Sequence, residues 1–373
     1  MYVAEEAFGI LDQPIYRIFW YFMYFADRQH DYENFLATLL MTKSLRSPAF
    51  VLRAFNVEVA RVQDLTSDSQ TAAFRLQFWH DALKGMFNKE QTLKDVPANP
   101  VAQELFKVCC CYGLQRRHLE KLITSRSNMN KAKYFKSLED IEKYAEDSVS
   151  SVYYLLLGIG GVKDVHADHA ASHLGKAQGI TNILRSVHVS SRQKIVFLPM
   201  DILMKYQLSQ ENVLRCTDSE QMRNAVFEIA SRANSHLEKA RKINVPETAR
   251  QIFLPATAVH NYLTKLQKRN FNIFDRSLFQ ASPILPFKLY YNRCDRYDKS
   301  DRHYKYDNSE RHDISDRHDR SDRHDRSDLR DKYDKSDRHD SCDRHDKHDN
   351  SDRHDRSDRR DKHDRHDKYD KSN

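Results

Sequence analysis

The sequence predicts an all-α fold, a single large helical domain over residues 30–293, from its apolar periodicity and the placing of its helix breakers. Apolar residues recur every three or four positions, as on one helix face, at 35–40, 51–62, 74–87, 101–114, 138–157, 167–184, 222–243 and 250–266. No long run alternates with a period of two, which argues against a sheet. We therefore expect about eight or nine helices.

Proline and glycine residues separate these stretches. They cluster at positions 47–48, 97–100, 158–161, 199, 246 and 283–286, and we interpret each cluster as a break between helices. Asn99 followed by Pro100 predicts a helix start, because asparagine caps helix N-termini and proline suits the first turn.

Residues 294–373 differ in composition from the rest of the chain. They hold 23 Lys/Arg and 25 Asp/Glu but no Phe or Trp, and aspartate recurs at every third position from Asp313 to Asp370. Such a repeat cannot bury enough apolar surface to offset its ordering entropy, so we expect a disordered tail. Since opposite charges alternate finely along it, we expect no nucleic-acid partner.

Residues 1–29 form a segment of uncertain role. The apolar, aromatic-rich stretch 15–26 is shorter than the roughly 20 residues that span a bilayer. It can lie in a membrane interface or form a buried first helix. Glu5, Glu6 and Asp12 argue against a mitochondrial presequence.

The body of the chain is basic. Of the 61 Lys/Arg and 54 Asp/Glu in the whole chain, 38 and 29 precede residue 294, so the body carries about +9 and the tail about −2. The excess suits an acidic partner or an anionic membrane surface; the alternative is a solvated basic face. Three consecutive cysteines, Cys109 to Cys111, point in different directions on a helix, and we interpret them as reduced packing residues.

Four segments resemble, in order, sequence signatures of the squalene/phytoene synthase family. They are 54–64 (AFNVEVARVQD), 78–81 (FWHD), 176–185 (KAQGITNILR) and 194–203 (KIVFLPMDIL). The resemblance covers about residues 31–291 and implies the all-helical isoprenoid synthase fold.

In that family, two helices each carry aspartates at i and i+4, on one helix face, where they bind the Mg²⁺ ions that hold a prenyl diphosphate. By this resemblance, Ala60 and Arg61 replace the paired aspartates of the first signature, and Ser186 and Ser190 those of the second, while Asp64 is kept. A hydroxyl is a poor Mg²⁺ ligand compared with a carboxylate. We therefore expect a pseudoenzyme with no cofactor.

An active prenyl-diphosphate transferase, catalysing head-to-head condensation of the squalene/phytoene synthase type, is the alternative. It would use Asp64 together with acids that the sequence does not identify.

The polar residues left in the two signatures define a predicted vestigial pocket, composed of Asn56, Asp64, Asn182, Arg185, Ser186 and Ser190. A glutamine of the family pattern is replaced by Gly179, and Gln178 lies one position off, on another helix face. Asn182 and Arg185 can hold a phosphate or a buried acid, so a lipid or an isoprenoid is a candidate ligand. Alternatively, they tie helices together.

Further stretches resemble a mitochondrial branch of the family that acts in the assembly of respiratory complex I (NADH dehydrogenase). They lie at 31–36, 52–59, 77–79, 163–179, 271–274 and 284–290. This resemblance implies an assembly factor on the matrix side of the mitochondrial inner membrane, in peripheral contact with that membrane. Its implied partners are complex I subunits or other assembly factors.

A histidine cluster is a weak candidate metal site. His166, His169 and His173 fall at i, i+3 and i+7, with Asp168 nearby. Imidazoles on one helix face can bind Zn²⁺, but the sequence offers no obvious fourth ligand. The alternative is a polar helix face or hydrogen-bonded core histidines.

Overall fold

A computed structural model describes residues 31–66, 68–88 and 93–294 of the 373-residue chain. The predictions for the N-terminal segment and for the repeat tail fall outside these residues. Those described belong to one structural unit, Met1–Asp298.

Every regular element in the described residues is helical, which confirms the all-α prediction. The α-helices are α1 (Tyr32–Leu39), α2 (Lys43–Ala60), α3 (Ser69–Met86), α4 (Pro100–Tyr112), α5 (Arg116–Ala132), α6 (Leu138–Ala145), α7 (Ser151–Ile159), α8 (Val165–Arg192), α9 (Met200–Lys205), α10 (Gln210–Leu214), α11 (Glu220–Lys242), α12 (Glu247–Arg250), α13 (Pro255–Lys268) and α14 (Leu285–Cys294). A π-helical turn (Glu146–Ser150) joins α6 to α7, and 3₁₀ turns lie at Leu93–Asp95, Gln251–Phe253 and Arg276–Phe279.

The predicted break at 283–286 falls where α14 begins, at Leu285, whose side chain packs with Leu289 into a small second core. The predicted break at 47–48 is wrong. Pro48 lies inside α2 and is buried, because burying the apolar face of α2 outweighs the one backbone hydrogen bond that a proline removes. By contrast, the predicted start of α4 is confirmed: Asn99 accepts a hydrogen bond of 3.0 Å from the Ala102 amide.

The periodicity did not predict α5. This helix is polar, and its few apolar residues include Leu119, Leu122 and Ile123, which are all buried. Their helical spacing is too sparse to stand out from a polar loop. No described helix is both long and apolar enough to cross a bilayer.

α8 is the central helix, and it packs mainly against α11, α6 and the π-helical turn. Glycines allow the close approach to that turn. A Cβ atom at Gly175 would lie 2.6 Å from backbone atoms of Ser150, and one at Gly179 would lie 3.0 Å from the Cα of Ala145. The glycines therefore fix the position of the second signature relative to α6 and α7.

Candidate functional site

The first signature ends α2 and continues into the turn after it. The Asn56 side-chain oxygen accepts a hydrogen bond of 2.7 Å from the buried Arg126 guanidinium of α5. Ala60 and Asp64 are exposed. The retained acid of this signature therefore lies in solvent contact, while the asparagine is used in packing α2 against α5.

Arg61 is half-buried and follows α2 directly. Its Nε atom is buried without a hydrogen-bond partner. Glu58 supplies a nearby negative charge: burial raises the pKa of Glu58, and the positive charges of Arg61 and Arg75 act against that rise. A cationic side chain thus stands at a position where the resemblance places a metal-binding acid.

The second signature lies on α8, and its polar residues bind protein groups. The Arg185 guanidinium forms an ion pair of 2.6 Å with Glu33 and lies 4.6 Å above the Tyr262 ring. Ser186 and Ser190 donate hydrogen bonds to carbonyls of their own helix, at Ile183 and Val187. The hydrogen-bonding capacity of such serine hydroxyls is used within their own helix.

Asn182, the remaining vestigial-pocket residue of α8, is exposed. The predicted pocket stays a prediction, and its residues differ in burial and in partners. Asn56 binds α5, Arg185 binds α1, and Asp64 and Asn182 face solvent.

A buried polar chain that sequence reasoning missed runs through the interior. The Tyr153 hydroxyl donates to the Gln178 side-chain oxygen at 2.6 Å. The Gln178 amide donates to Asn34 at 3.1 Å, and the Asn34 amide donates to Asp31 at 2.7 Å. The signal available in the sequence was Gln178, one position out of the family register. We call Tyr153, Gln178, Asn34 and Asp31 the interior polar chain.

The Asp31 end of the interior polar chain connects the two signature helices electrostatically. Burial raises the pKa of Asp31 to about 6, while the positive charges of Arg53 on α2 and Arg185 on α8 act to lower it. Arg53 is 3% exposed, and its Nε and Nη2 atoms have no hydrogen-bond partner. Arginines of both signature helices thus act on the Asp31 carboxyl.

A small cavity of about 40 Å³ lies beside this arrangement. Its lining includes Glu33, Arg185, Asn261, Tyr262 and Leu285. A cavity of this size has room for water but not for an isoprenoid chain. A lipid or isoprenoid ligand for the vestigial pocket stays a prediction.

The histidine cluster is divided between solvent and a helix contact. His166 and His169 are exposed on α8. The His173 ring lies 2.9 Å from His236 of α11, nitrogen to nitrogen, and His236 lies 3.1 Å from Glu142 of α6. Burial lowers the pKa of His173 to about 4, and neighbouring His236 and His169 contribute to that decrease.

His173 is therefore neutral at pH 7, and it joins α8 to α11 through a hydrogen bond. Within the part of the chain that the structure describes, no group of three or more His, Cys, Asp and Glu side chains is arranged to hold a metal ion.

A family of known proteins matches most of the described part of the chain. The sequence profile described as squalene/phytoene synthase matches residues 27–284, which is more than half of the chain. The chain belongs to the squalene/phytoene synthase family. The family predicted from the four segments is thereby confirmed.

Relatives of this squalene/phytoene synthase family member include both enzymes and assembly factors. A rat protein named NADH dehydrogenase (ubiquinone) complex I, assembly factor 6, is 42% identical over 265 residues, or 70% of this chain and 78% of the rat protein. A chloroplastic phytoene synthase of an Oncidium hybrid cultivar is 23% identical over 276 residues, or 69% of this chain and 64% of the enzyme.

The fold is also that of the family. The crystal structure of squalene synthase HpnC from Alicyclobacillus acidocaldarius matches with a TM-score of 0.60 at 17% identity, covering 71% of this chain and 99% of that chain. At this identity, the likeness shows the isoprenoid synthase fold alone.

The Mg²⁺ ions that the family resemblance implies do not fit the residues present here. Hard cations require several oxygen ligands, mostly carboxylates, at one point. The first signature offers an exposed Asp64 beside a half-buried Arg61, and the second offers serines whose hydroxyls donate to backbone carbonyls. The two signatures therefore do not provide the set of oxygen ligands that Mg²⁺ requires.

Proposed function

We propose that this protein is a non-catalytic squalene/phytoene synthase family member that acts as an assembly factor for mitochondrial respiratory complex I. The observation that carries the proposal is the 42% identity to rat complex I assembly factor 6 across 78% of that protein. The proposed partners are complex I subunits or other assembly factors. The proposed location is the matrix side of the inner membrane, in peripheral contact with it.

The candidate site supports the non-catalytic part of this proposal. Asn56 and Arg185 bind neighbouring helices, the two serines bind their own helix, and Asp64 and Asn182 are exposed. The interior polar chain links side chains of α1, α7 and α8. On this view, the fold is a scaffold whose outer surface meets its partners. Asn182 and Arg185 then serve as a surface residue and a tie between helices, respectively.

A depletion experiment tests the assembly role. In cells depleted of this protein, we expect the amount of assembled complex I, measured on native gels, to fall and to recover when the full chain is supplied again. An Asp64→Asn variant should restore it equally, because a scaffold does not need the retained acid. Unchanged complex I after depletion would contradict the assembly role.

A second experiment tests the absence of catalysis. The purified chain is given farnesyl diphosphate and Mg²⁺, and both released diphosphate and condensed product are measured. We expect neither from the parent protein. The matched comparison is a variant carrying Ala60→Asp, Ser186→Asp and Ser190→Asp. Diphosphate release by the parent at the level of that variant, with a condensed product, would show that the chain is a prenyl-diphosphate transferase.

A further inference from the structure

The last described helix, α14, is apolar on two sides. Its inner side, Leu285 and Leu289, is buried in a small core with residues of α1 and α13. On its outer side, Ile284 is 60% exposed, Phe287 68%, Tyr290 53% and Tyr291 64%. We call these four residues the aromatic face. Single exposed apolar residues are ordinary, but a group of large ones on one helix marks a surface that binds something.

The neighbouring surface is strongly basic. Residues 262–293 contain the cations Lys265, Lys268, Arg269, Arg276, Lys288 and Arg293, against the single acid Asp275. Lys265, Lys268 and Arg269 line an open groove of about 420 Å³ with Ser277 and Gln280. We call this the basic groove.

The aromatic face and the basic groove adjoin each other. Pro283 lines the groove and directly precedes Ile284, the first residue of the aromatic face. α14 also packs on α13, where Lys288 donates to Asn261 at 3.2 Å. The two features therefore form one continuous surface built from α13, α14 and the loop between them.

We propose that the aromatic face and the basic groove together dock the protein onto an anionic lipid bilayer. Aromatic residues with one apolar and one polar end favour the membrane–water interface, and lysine and arginine are attracted to anionic lipids. Tyrosine, phenylalanine and arginine are also enriched in protein–protein interfaces, but lysine is depleted there, and here lysine supplies half of the cations. The excess of positive charge beside the aromatic face is what favours an anionic bilayer over a protein partner.

Binding to an anionic bilayer is argued from this surface alone; that the bilayer is the mitochondrial inner membrane rests on the proposed function. Docking through this surface holds the bundle against the bilayer without a spanning helix.

Binding to vesicles of defined composition tests the proposal with the full chain. We expect sedimentation with vesicles of phosphatidylcholine plus phosphatidylglycerol, and much weaker binding to phosphatidylcholine alone. Phe287→Ser with Tyr291→Ser, and separately Lys268→Glu with Arg276→Glu, should each weaken binding on the order of tenfold. High salt should weaken the parent as well, because attraction to anionic lipid is screened.

Matched control variants lie on α3. Phe74 is 69% exposed and Lys84 is exposed, so Phe74→Ser with Lys84→Glu removes the same side-chain types from another surface. This control should bind vesicles like the parent. If it loses as much affinity as the α13–α14 variants, or if those variants lose none, the proposal is wrong.

A tryptophan probe locates the contact directly. Phe287→Trp should show blue-shifted emission, and quenching by brominated lipid, when anionic vesicles are added, while Phe74→Trp should show neither. Absence of the shift at position 287 would overturn the bilayer contact. If the serine variants then still failed to restore complex I in depleted cells, the surface would belong to a protein partner, and the assembly role itself would stand.

Discussion

The two signature helices use their polar side chains in different ways. On α2, the key contact is made across the bundle, where Asn56 accepts from the buried Arg126 of α5. On α8, Ser186 and Ser190 bind the backbone of their own helix, and Arg185 forms a partly exposed ion pair with Glu33. The first signature therefore joins α2 to α5 by a buried contact, while on α8 the serines are satisfied locally and Arg185 reaches α1 through a partly exposed ion pair.

This difference shows two ways in which polar side chains of a helix can be satisfied. At the end of α2, Asp64 is exposed and Arg61 is half-buried nearby. On α8, two serine hydroxyls donate to carbonyls of the same helix. Asp31, just before α1, is influenced by the positive charges of Arg53 on α2 and Arg185 on α8.

The largest expected effect concerns the close packing that holds α8. In Gly175→Ala, the new methyl group would lie 2.6 Å from backbone atoms of Ser150, so either α8 or the π-helical turn must move. We expect a loss of about 3 kcal/mol in the free energy of unfolding, measured by urea denaturation.

Gly158→Ala is the control for this prediction. Its Cβ atom would meet only the Leu114 side chain, at 3.6 Å, and alanine favours the helix. We expect stability equal to or above that of the parent. A Gly175→Ala protein that is as stable as this control would show that α8 is free to shift, and that the second signature is not fixed by the turn.

Much of the fold follows from the sequence, because apolar residues recur at helical spacing in most of the helices that form the core. α11 is long and periodic, and Asn99 marks the start of α4 through an interaction within three residues. Two features depend on distant packing instead. The polar helix α5 and the buried Pro48 are decided by the elements around them.

The candidate site is less predictable for the same reason. The hydroxyl contacts of Ser186 and Ser190 are local, but Gln178 meets Asn34 across 144 residues, and Arg126 meets Asn56 across 70. No spacing rule connects such residues. The sequence therefore indicated which side chains were left in the signatures, and the tertiary fold determined what they bind.

The second prediction tests the acid between the two signatures. The folded state holds the Asp31 proton more tightly than the unfolded chain, since the pKa is raised from 3.8 to about 6. Stability should therefore be fully retained below pH 4 and should decline as the pH rises to about 6. Allowing for partial exposure, we expect a decline of about 2 kcal/mol in the free energy of unfolding.

Asp31→Asn should remove this pH-dependent decline while keeping an oxygen that accepts from Asn34. Urea denaturation at pH 4 and at pH 7 gives the two values to compare. The variant and the parent should be similar at pH 4, and the variant should be more stable at pH 7. A variant that declines like the parent would show that other groups cause the pH dependence, and that Asp31 does not link α2 and α8.

The smallest expected effect compares the two signatures directly by double-mutant cycles. Asn56 and Arg126 should couple by about 1.5 kcal/mol, because the hydrogen bond involves a buried charge. Arg185 and Glu33 should couple by about 0.5 kcal/mol, because water screens the pair; their side chains are 30% and 23% exposed. Each of the four residues is changed to alanine singly, and each pair is changed together. The free energies of unfolding of these variants and the parent give both coupling energies. Equal couplings, or a larger one for Arg185, would mean that partial exposure does not weaken the Arg185–Glu33 pair, so that α8 is held to α1 at least as strongly as α2 is held to α5.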